Sequence, residues 1–427
     1  MPPNSEVTNR RSRRLQEQDA ASAPASTKKL KKIRLAELSQ HEVCIDGLVY
    51  DIREFGKVHP GGDQVLLFGG NDVTAQYKMI HHGHSSNPQH YLSKMALVGE
   101  VTDFSCEYKF DTPFEQEIKR EVFKIVKRGR EFGTPGYLLR AAFYVGLMAF
   151  AQLTWVASGS SPLRAVLLGC AGALIGLNVQ HDANHGAASK RPWVNEVLGY
   201  GADMIGGSKY NWIQQHWTHH AYQAFFFLPL LSFYWLSSVF NTQVLDLNQR
   251  GSAQIMDWSN DYTKRRIPVS LLLRALYIGM NIVNPFFHHS PATALYHIWI
   301  MSTVESLFLS GLFSLSHNFE GADRYPVDHF EKTGEQVCWM KAQVSPSASE
   351  AAYQGGGSMM TYKTHLFPRM SSAYYPYIAP TVRRICEKHG VRYAWYPWIH
   401  QNFIATVTYM HNSGTGGHWE LDPLSGK

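Results

Sequence analysis

Two histidine clusters between His181 and His220 constrain the fold of this chain more than any other feature of its sequence. HDANH begins at His181 and HWTHH begins at His216, and together they supply five histidines: His181, His185, His216, His219 and His220. Helical positions three or four residues apart share a face, so each cluster would direct its imidazoles to one side of a helix. Neutral imidazole binds iron, copper, zinc or nickel, and this number of ligands exceeds the needs of one tetrahedral ion. We therefore expect two helices to meet around two metal ions or one octahedral ion.

The H-x-x-x-H spacing also occurs in zinc metalloproteases, whose mechanism needs a glutamate directly after the first histidine. Asp182 stands at that position here, and HWTHH has no role in such a site. The simpler alternative is a set of unrelated surface or core histidines. Only 21 of the 427 residues are histidine, so two tight clusters, each beside an apolar segment, favour a metal site over that alternative.

Apolar segments of membrane-spanning length lie on both sides of the clusters. Two of them, 137–157 and 162–180, are separated by a short turn, and each is close to the roughly 20 residues that a spanning helix requires. They predict a helical hairpin that returns the chain to its starting side, with His181 at its end. Further apolar segments cover 222–240, 268–287 and 292–316. An odd number of spans would separate the C-terminal part from the first histidines, so we expect 222–240 to lie in the membrane interface.

The last apolar segment carries an ionisable residue and ends in another histidine. Glu305 lies inside the segment, and an ionisable group at membrane depth suggests a functional role. His317 follows at the end of the segment, where it could join the metal cage. The C-terminal tail, which begins with HLFPRM at His365, is polar and aromatic, and we expect it to form cytosolic helices that close the site.

Residues 35–103 differ in character from the rest of the chain. Alternating β-branched and aromatic residues predict strands, and HPGG places His59 at a tight turn whose glycines let the backbone approach a large flat group. A second histidine group follows a short helical segment, and two histidines on facing loops are the axial ligands of a bis-imidazole haem. Sequence spacing within the segment leaves the second ligand open: counting forward favours His81 or His82, and counting back favours His84.

The two segments that flank residues 35–103 carry no catalytic or ligand-binding motif. Residues 1–34 are polar with two groups of basic residues, which predicts a disordered basic arm. Residues 104–135 form a linker in which Phe114, Ile118, Val122 and Ile125 would share one face of an amphipathic helix. That helix could lie at the membrane surface or dock on the domain before it.

Charge and cysteine usage narrow the functional class. The net charge of +6 is modest and suits a protein at an anionic membrane surface better than a nucleic-acid binder. The 5 cysteines are scattered, odd in number and without C-x-x-C pairing. We expect reduced thiols, and therefore polar regions that face the cytosol.

Taken in order, HPGG with NDVTAQY and ALVGEV, the apolar hairpin, HDANH, HWTHH and HLFPRM resemble membrane front-end fatty acyl desaturases with a fused cytochrome b5 domain. The sequences around HDANHG and HLFPRM are similar to those of the algal and diatom Δ5/Δ6 enzymes. The resemblance covers roughly residues 35–420. It implies an α+β cytochrome b5-like haem domain over 35–103, an amphipathic linker helix within 104–135, and an all-α polytopic membrane desaturase domain over 136–427.

The resemblance also implies two cofactors. A haem b would be held by His59 and by His81, the spacing found in cytochrome b5 domains fused to desaturases, with His84 as the alternative. A non-haem di-iron centre would be held by the histidine boxes: His181, His185, His216, His219, His220, His317 and His365. No catalytic residue separate from these metal ligands is implied.

The implied reaction inserts a cis double bond into a polyunsaturated acyl chain, Δ5 in preference to Δ6, with oxygen as the oxidant. The implied partners are a fatty acyl-CoA or phospholipid acyl chain, an NADH-dependent cytochrome b5 reductase and membrane lipid, with no nucleic acid. The implied location is the endoplasmic reticulum membrane, crossed several times, with the haem domain and the histidine boxes in the cytosol. The residues agree with such chemistry, because breaking an unactivated C–H bond needs an oxidant that side chains cannot supply.

Two departures from the family pattern leave alternatives open. The third box of the family is Q-x-x-H-H, whereas this chain has Thr361 and Thr364 in place of the glutamine and the first histidine, with Lys363 between them. The polar loop that the family carries after HHAY is also shortened here. The alternatives are a membrane-bound b5-type electron carrier with an inactive desaturase half, and a sphingolipid long-chain-base desaturase.

Overall fold

The computed structural model describes residues 30–81, 91–222, 239, 260–317, 319, 329–345, 348–350, 365–396 and 398–414. Within these residues a small domain built on a mixed sheet is followed by a region of long helices. This arrangement confirms the predicted fold class. We call residues 30–103 the N-terminal domain and the rest the helical region.

Five strands form the sheet of the N-terminal domain in the order β1-β5-β3-β2-β4. Their bounds are β1 (Lys31–Ile33), β2 (Glu42–Ile45), β3 (Leu48–Asp51), β4 (Asn71–Asp72) and β5 (Ala96–Val101). β2 and β3 form a hairpin in which Ile45 pairs with Leu48. The two turn residues between them, Asp46 and Gly47, both have positive φ, the conformation that suits a two-residue hairpin turn. One face of the sheet buries Val43 and Ile45 towards the helical region.

The first strand corrects the predicted boundary of the basic arm. The arm was expected to extend to residue 34, but Lys31–Ile33 pair in parallel with Gly99–Val101 of β5. Ile33 is buried against Val101 on the neighbouring strand, and this apolar contact holds the short strand at the edge of the sheet. The basic residues around Ile33 gave the segment no strand-like pattern in the sequence. Residues 1–29 lie outside the described residues.

Helices make up most of the remaining described chain. Their bounds are Thr74–His81, Pro113–Ile125, Pro135–Ala157, Pro162–Leu174, His181–Asn184, Pro192–Gly199, Gly201–Met204, Lys209–Tyr222, Asp261–Ile278, Pro285–His288, Pro291–His317, His329–Thr333, Trp339–Val344, Tyr375–Lys388 and Ile399–Gly414. Two short π-helical turns, Ile175–Gln180 and Gly279–Val283, interrupt the long apolar helices. Two small parallel pairs complete the strands: β6 (Tyr108–Lys109) with β7 (Val337–Cys338), and β8 (Ala348–Glu350) with β9 (Ala394–Tyr396).

Three helical stretches of the described chain are long and apolar enough to cross a membrane: Pro135–Ala157, Pro162–Asn184 and Asp261–His288. Only 22% of the apolar window of the first is buried within the protein. Leu139, Phe143 and Leu153 on that helix are largely exposed, a pattern expected of a lipid-facing surface. The long apolar helices therefore indicate membrane association.

The long helices form two hairpins that open toward the same side. At one end, the amide of Gly133, just before the first helix, donates to the carbonyl oxygen of Ala187, just after the second, at 3.1 Å. At the other end, the turns meet where His289 Nε2 donates to the Ser160 carbonyl oxygen at 2.8 Å. The prediction that the first hairpin returns the chain to its starting side is confirmed by this geometry. The segment predicted for the interface, 222–240, lies outside the described residues except for Tyr222 and Val239.

Close packing between Pro162–Leu174 and Pro291–His317 depends on two glycines. A Cβ added at Gly169 would lie 2.6 Å from the carbonyl oxygen of Met301, and one added at Gly172 would lie 2.9 Å from the carboxyl carbon of Glu305. Glu305 is almost fully buried at this contact. Small residues allow membrane helices to approach in this way.

Gly169→Ala should therefore destabilise the protein, because overpacking against a backbone oxygen costs about 1–3 kcal/mol. Gly146→Ala is the matched control, since that helical glycine has nothing within 4 Å of its added Cβ. The control should be neutral or stabilising by up to about 1 kcal/mol, the helix propensity difference. Thermal unfolding of both variants in detergent measures the effect, and equal melting temperatures would refute the packing argument.

The linker helix docks on the C-terminal part of the chain. Pro113–Ile125 begins with Thr112, whose hydroxyl accepts a hydrogen bond from the Glu115 amide at 3.3 Å. Its apolar face buries Phe114, Ile118 and Val122 in the same core as the Tyr375–Lys388 helix. Lys388 forms an ion pair with Glu117 at 2.8 Å on the outside of this contact. The expected amphipathic helix is present and packs on a C-terminal helix. Ile125, which was predicted on its apolar face, is exposed instead, because it lies in the last turn beyond this contact.

The N-terminal domain packs directly on the helical region at the open side of both hairpins. Asn260, which caps the Asp261–Ile278 helix, donates from Nδ2 to the Leu67 carbonyl oxygen at 2.9 Å. Arg266 on the same helix pairs with Asp63 at 2.8 Å. Buried apolar residues of both parts form one continuous core. This docking places the N-terminal domain beside the histidine clusters.

Candidate functional site

The first candidate site lies between His59 and His81 in the N-terminal domain. Their ring centroids are 6.1 Å apart. His59 donates from Nδ1 to the Gly62 carbonyl oxygen at 3.2 Å, and His81 donates from Nδ1 to the Tyr77 carbonyl oxygen at 3.0 Å. Such hydrogen bonds fix the tautomer in which Nε2 is the metal-binding atom. His84, the alternative second ligand, and His82 lie outside the described residues.

The local geometry of this pair fits a haem iron. A metal between two imidazoles places the ring centroids about 6 Å apart, because each metal–nitrogen bond is about 2 Å long. Burial lowers the pKa of His59 to about 4 and the pKa of His81 to about 3. Both rings are therefore neutral at physiological pH, which is the form that ligates iron.

A cavity surrounds the two histidines. Its apolar wall comes from the N-terminal domain, with Ile45, Ile52 and Phe55 among the lining residues. Its opposite wall comes from the helical region and includes His185 and Trp217. The cavity therefore extends from the predicted haem site to the first histidine box.

The second candidate site brings together histidines from both boxes. His181, His185 and His216 form a group whose ligand nitrogens all lie within 4.8 Å of one another. Their ring centroids are separated by 4.8 Å, 5.1 Å and 4.9 Å. The two boxes thus converge as the helical spacing predicted, with one member, His185, almost fully buried.

This group fits a transition-metal ion. Nε2 of His185 and Nε2 of His216 are 3.0 Å apart, and adjacent ligands on an octahedral ion with bonds of about 2.1 Å are separated by about 3 Å. Burial holds the pKa of His185 well below its usual range, which keeps the ring neutral. Three imidazole donors suit iron as well as copper, zinc or nickel.

A change in helical pitch positions the first box. The chain from Pro162 runs as an α-helix to Leu174, continues as the π-helical turn Ile175–Gln180 and returns to α-helix at His181. A π-helical turn widens the helix and rotates all later residues, and such turns are frequent at functional sites. Sequence periodicity gave no signal for it, although it sets the direction of His181 and His185.

The second box lies on Lys209–Tyr222, a helix whose start is anchored by a buried lysine. Lys209, only 1% exposed, forms an ion pair with Glu196 at 2.8 Å. Three residues further on, Trp212 stacks on His216 with centroids 4.1 Å apart. These contacts hold the helix and the imidazole that it carries in one orientation. No motif in the sequence pointed to Lys209 or Trp212 as a supporting residue.

Of the remaining predicted ligands, His365 is the one whose side chain lies within the described residues. His365 is fully buried and donates from Nδ1 to Oε1 of Gln343 at 3.0 Å. It is not a member of the three-histidine group found among the described residues. The side chains of His219, His220 and His317 lie outside the described residues, as do Thr361, Lys363 and Thr364 of the altered third box.

Two stretches of the chain match known protein families. Residues 34–102 match the family described as cytochrome b5-like heme/steroid binding domain. Residues 153–349 match the fatty acid desaturase family. The chain combines a cytochrome b5-like domain with a fatty acid desaturase domain. This desaturase carries its cytochrome b5-like domain at the N-terminal side, and its cofactors are haem and iron.

Its relatives are front-end acyl-lipid desaturases. The desaturase is 29% identical over 417 residues to an acyl-lipid (7-3)-desaturase of Diacronema lutheri, covering 86% of this chain and 89% of the relative. It is 25% identical over 447 residues to a probable Delta(5) fatty acid desaturase C of Dictyostelium discoideum, covering 90% and 95%. It is 27% identical over 312 residues to an sn-1 linoleoyl-lipid 6-desaturase of Arthrospira platensis, covering 60% and 78%. The desaturase is thus an oxidoreductase of the membrane-bound acyl-lipid class.

Hydrogen bonds from Ser372, two residues after HLFPRM, support the first histidine box of the desaturase. Ser372 donates to Oδ2 of Asp182 from its hydroxyl at 2.8 Å and from its amide at 3.1 Å. Oδ1 of the same carboxylate lies 3.5 Å from Nδ1 of His181. A carboxylate behind a metal-binding histidine orients the ring and raises its basicity. The C-terminal tail therefore closes the site, as the sequence predicted.

Ser372→Ala should weaken iron binding by about tenfold, the lower range for loss of a residue behind a metal ligand. Ser290→Ala, an exposed serine at the far end of the helices whose hydroxyl contacts Thr293, is the control. Iron retained during dialysis against a graded chelator series, measured by mass spectrometry, reports the change. Retention by Ser372→Ala equal to that of the control would show that the Asp182 carboxylate needs no support from this hydroxyl.

Proposed function

We propose that this protein is an oxygen-dependent front-end desaturase that introduces a Δ5 double bond, in preference to Δ6, into lipid-linked polyunsaturated acyl chains. The observation that carries the proposal is the convergence of His181, His185 and His216 beside a cavity that also holds His59 and His81. An iron site and a haem site in direct contact are what an oxygenase with a fused electron donor requires.

The proposed residue roles rest on described contacts where these exist and on the sequence motifs for the other histidines. His59 and His81 would hold the haem, each through Nε2, because Nδ1 is engaged by a backbone carbonyl. The iron would be held by His181, His185 and His216, joined by His219, His220, His317 and His365. When bound, the iron would activate oxygen and so supply an oxidant that side chains cannot provide.

His365 is included because its surroundings prepare it as a ligand. Oε1 of Gln343 can only accept a hydrogen bond, so Nδ1 of His365 carries the proton and Nε2 is the atom with a lone pair. Fixing the tautomer through the other ring nitrogen is the usual arrangement behind a metal-binding histidine. Full burial of the ring excludes water from that position.

The substrate and position are supported by the relatives. Proteins named acyl-lipid desaturases are similar over most of this chain, which favours a lipid-linked acyl chain over a CoA thioester. Relatives named Delta(5) and (8-3)-desaturases favour Δ5, and others are named (7-3)- and 6-desaturases. A cytochrome b5 reductase would reduce the haem, with the haem domain and histidine boxes on the cytosolic face of the endoplasmic reticulum.

Expression in yeast with supplied fatty acids tests the proposal. Cultures receive 20-carbon or 18-carbon polyenoic acids, and gas chromatography with mass spectrometry of a derivative that marks double bonds identifies the products. A new Δ5 bond in the 20-carbon acid is the expected result. A new bond only at Δ6, only at the position of the (7-3) relatives or only in sphingoid bases would overturn the assigned position or substrate.

A repaired third box distinguishes an inactive desaturase from a wrong substrate. Thr364→His together with Thr361→Gln restores the family pattern, and we expect it to raise iron content and product. Haem without non-haem iron or product, in both the original and the repaired protein, would identify an electron carrier instead of an enzyme.

A further inference from the structure

Trp217 lies between the two cofactor sites. Its ring centroid is 6.0 Å from that of Phe68 in the N-terminal domain, in an edge-to-face arrangement of 88°. Its centroid is 5.2 Å from that of His185 on the other side. Both distances fall within the roughly 4.5–7 Å of aromatic pairs in contact. Trp217 is 4% exposed, so solvent does not enter this contact.

Both ends of this contact reach a cofactor site. Phe68 and Trp217 line the cavity that contains His59 and His81. His185 belongs to the three-histidine metal group. The indole therefore contacts both Phe68 in the wall of the haem cavity and an iron-binding imidazole, His185, which also lines that cavity.

A second tryptophan on the same helix shows what is special about this position. Trp212 also contacts His185, with centroids 5.7 Å apart, and stacks on His216. It does not line the cavity that holds His59 and His81. Of these two tryptophans, Trp217 is the one that lines the cavity and contacts Phe68.

We propose that Trp217 is the bridge through which electrons pass from the haem to the non-haem iron, an inference that rests on the proposed function. In each transfer, ferrous haem loses one electron and becomes ferric, and ferric non-haem iron gains that electron and becomes ferrous. The indole couples the two sites electronically and is itself neither oxidised nor reduced. No proton moves in this step, and the reductant that recharges the haem is the reductase or, in vitro, dithionite. Trp217 is thus a positioning residue for electron transfer, not a ligand of either metal.

Anaerobic rapid mixing tests this bridge in the full-length protein loaded with haem and iron. The haem is reduced with less than one equivalent of dithionite, and the loss of ferrous haem absorbance reports transfer to ferric non-haem iron. Trp217→Leu should slow this transfer by at least about tenfold, whereas Trp217→Phe, which keeps an aromatic ring, should stay within about threefold of the original protein. Haem spectra and iron content, measured on the same samples, should be unchanged.

Trp299→Leu is the control for loss of a tryptophan ring elsewhere in the protein. Trp299 is exposed on the Pro291–His317 helix, and its loss should leave the transfer rate within about threefold of the original protein. Transfer in Trp217→Leu within threefold of the original protein, or an equal slowing in Trp299→Leu, would overturn the assignment of Trp217. Absence of non-haem iron in the original protein would overturn the proposed function and this inference together.

Discussion

His181→Ala is expected to remove most of the non-haem iron and to abolish desaturation, while the haem spectrum stays unchanged. His181 contributes one of three imidazoles within 4.8 Å of one another, and loss of one ligand from a compact site cannot be offset by its neighbours. We expect bound non-haem iron to fall at least about tenfold and product to fall at least about 100-fold. Metal analysis and fatty acid analysis of the same cells measure both effects.

The matched control is His389→Ala, which removes a histidine whose Nε2 contacts Glu117 at 2.7 Å, away from both sites. Iron and product in the control should equal those of the original protein. Unchanged product in His181→Ala would mean that the converging histidines do not form the oxidation site.

His59→Ala is expected to show the reverse pattern, with haem lost and non-haem iron retained. His59 is one of two neutral, buried imidazoles whose centroids are 6.1 Å apart, and a bis-imidazole haem held by one ligand dissociates readily. Haem content should fall at least about tenfold, and desaturation should be lost because no electrons reach the iron. The Soret absorbance of purified protein, together with its iron content, measures the outcome.

His41→Ala is the control within the same domain, because its side chain lies outside the haem cavity. His81→Ala should behave like His59→Ala. A His81→Ala variant that keeps its haem would transfer the second axial position to His84 or His82, the alternatives that the sequence spacing left open.

The sequence predicted those parts of the molecule that depend on local pattern. The first apolar hairpin, the HPGG turn at His59 and the convergence of HDANH with HWTHH follow from residue spacing and apolar length. The family of both domains also followed from motifs in a fixed order. Each of these signals lies within a short stretch of chain, where helical geometry alone determines which side chains share a face.

The parts that could not be predicted depend on contacts between distant residues. Ser372 meets Asp182, and Phe68 meets Trp217, only after the whole chain has folded. The linker helix packs on Tyr375–Lys388, a partner that the sequence did not suggest because it lies far away along the chain. Strand Lys31–Ile33 was concealed by its basic residues, since one apolar side chain in a charged segment gives no periodic signal.

The ratio of non-haem iron to haem in the purified full-length protein shows whether histidines from separate helices bind iron beside a haem held by the same chain. We expect about two non-haem iron atoms per haem, the content of a di-iron oxygenase with one haem domain. A ratio near zero, with haem fully bound, would mean that these histidines hold no iron.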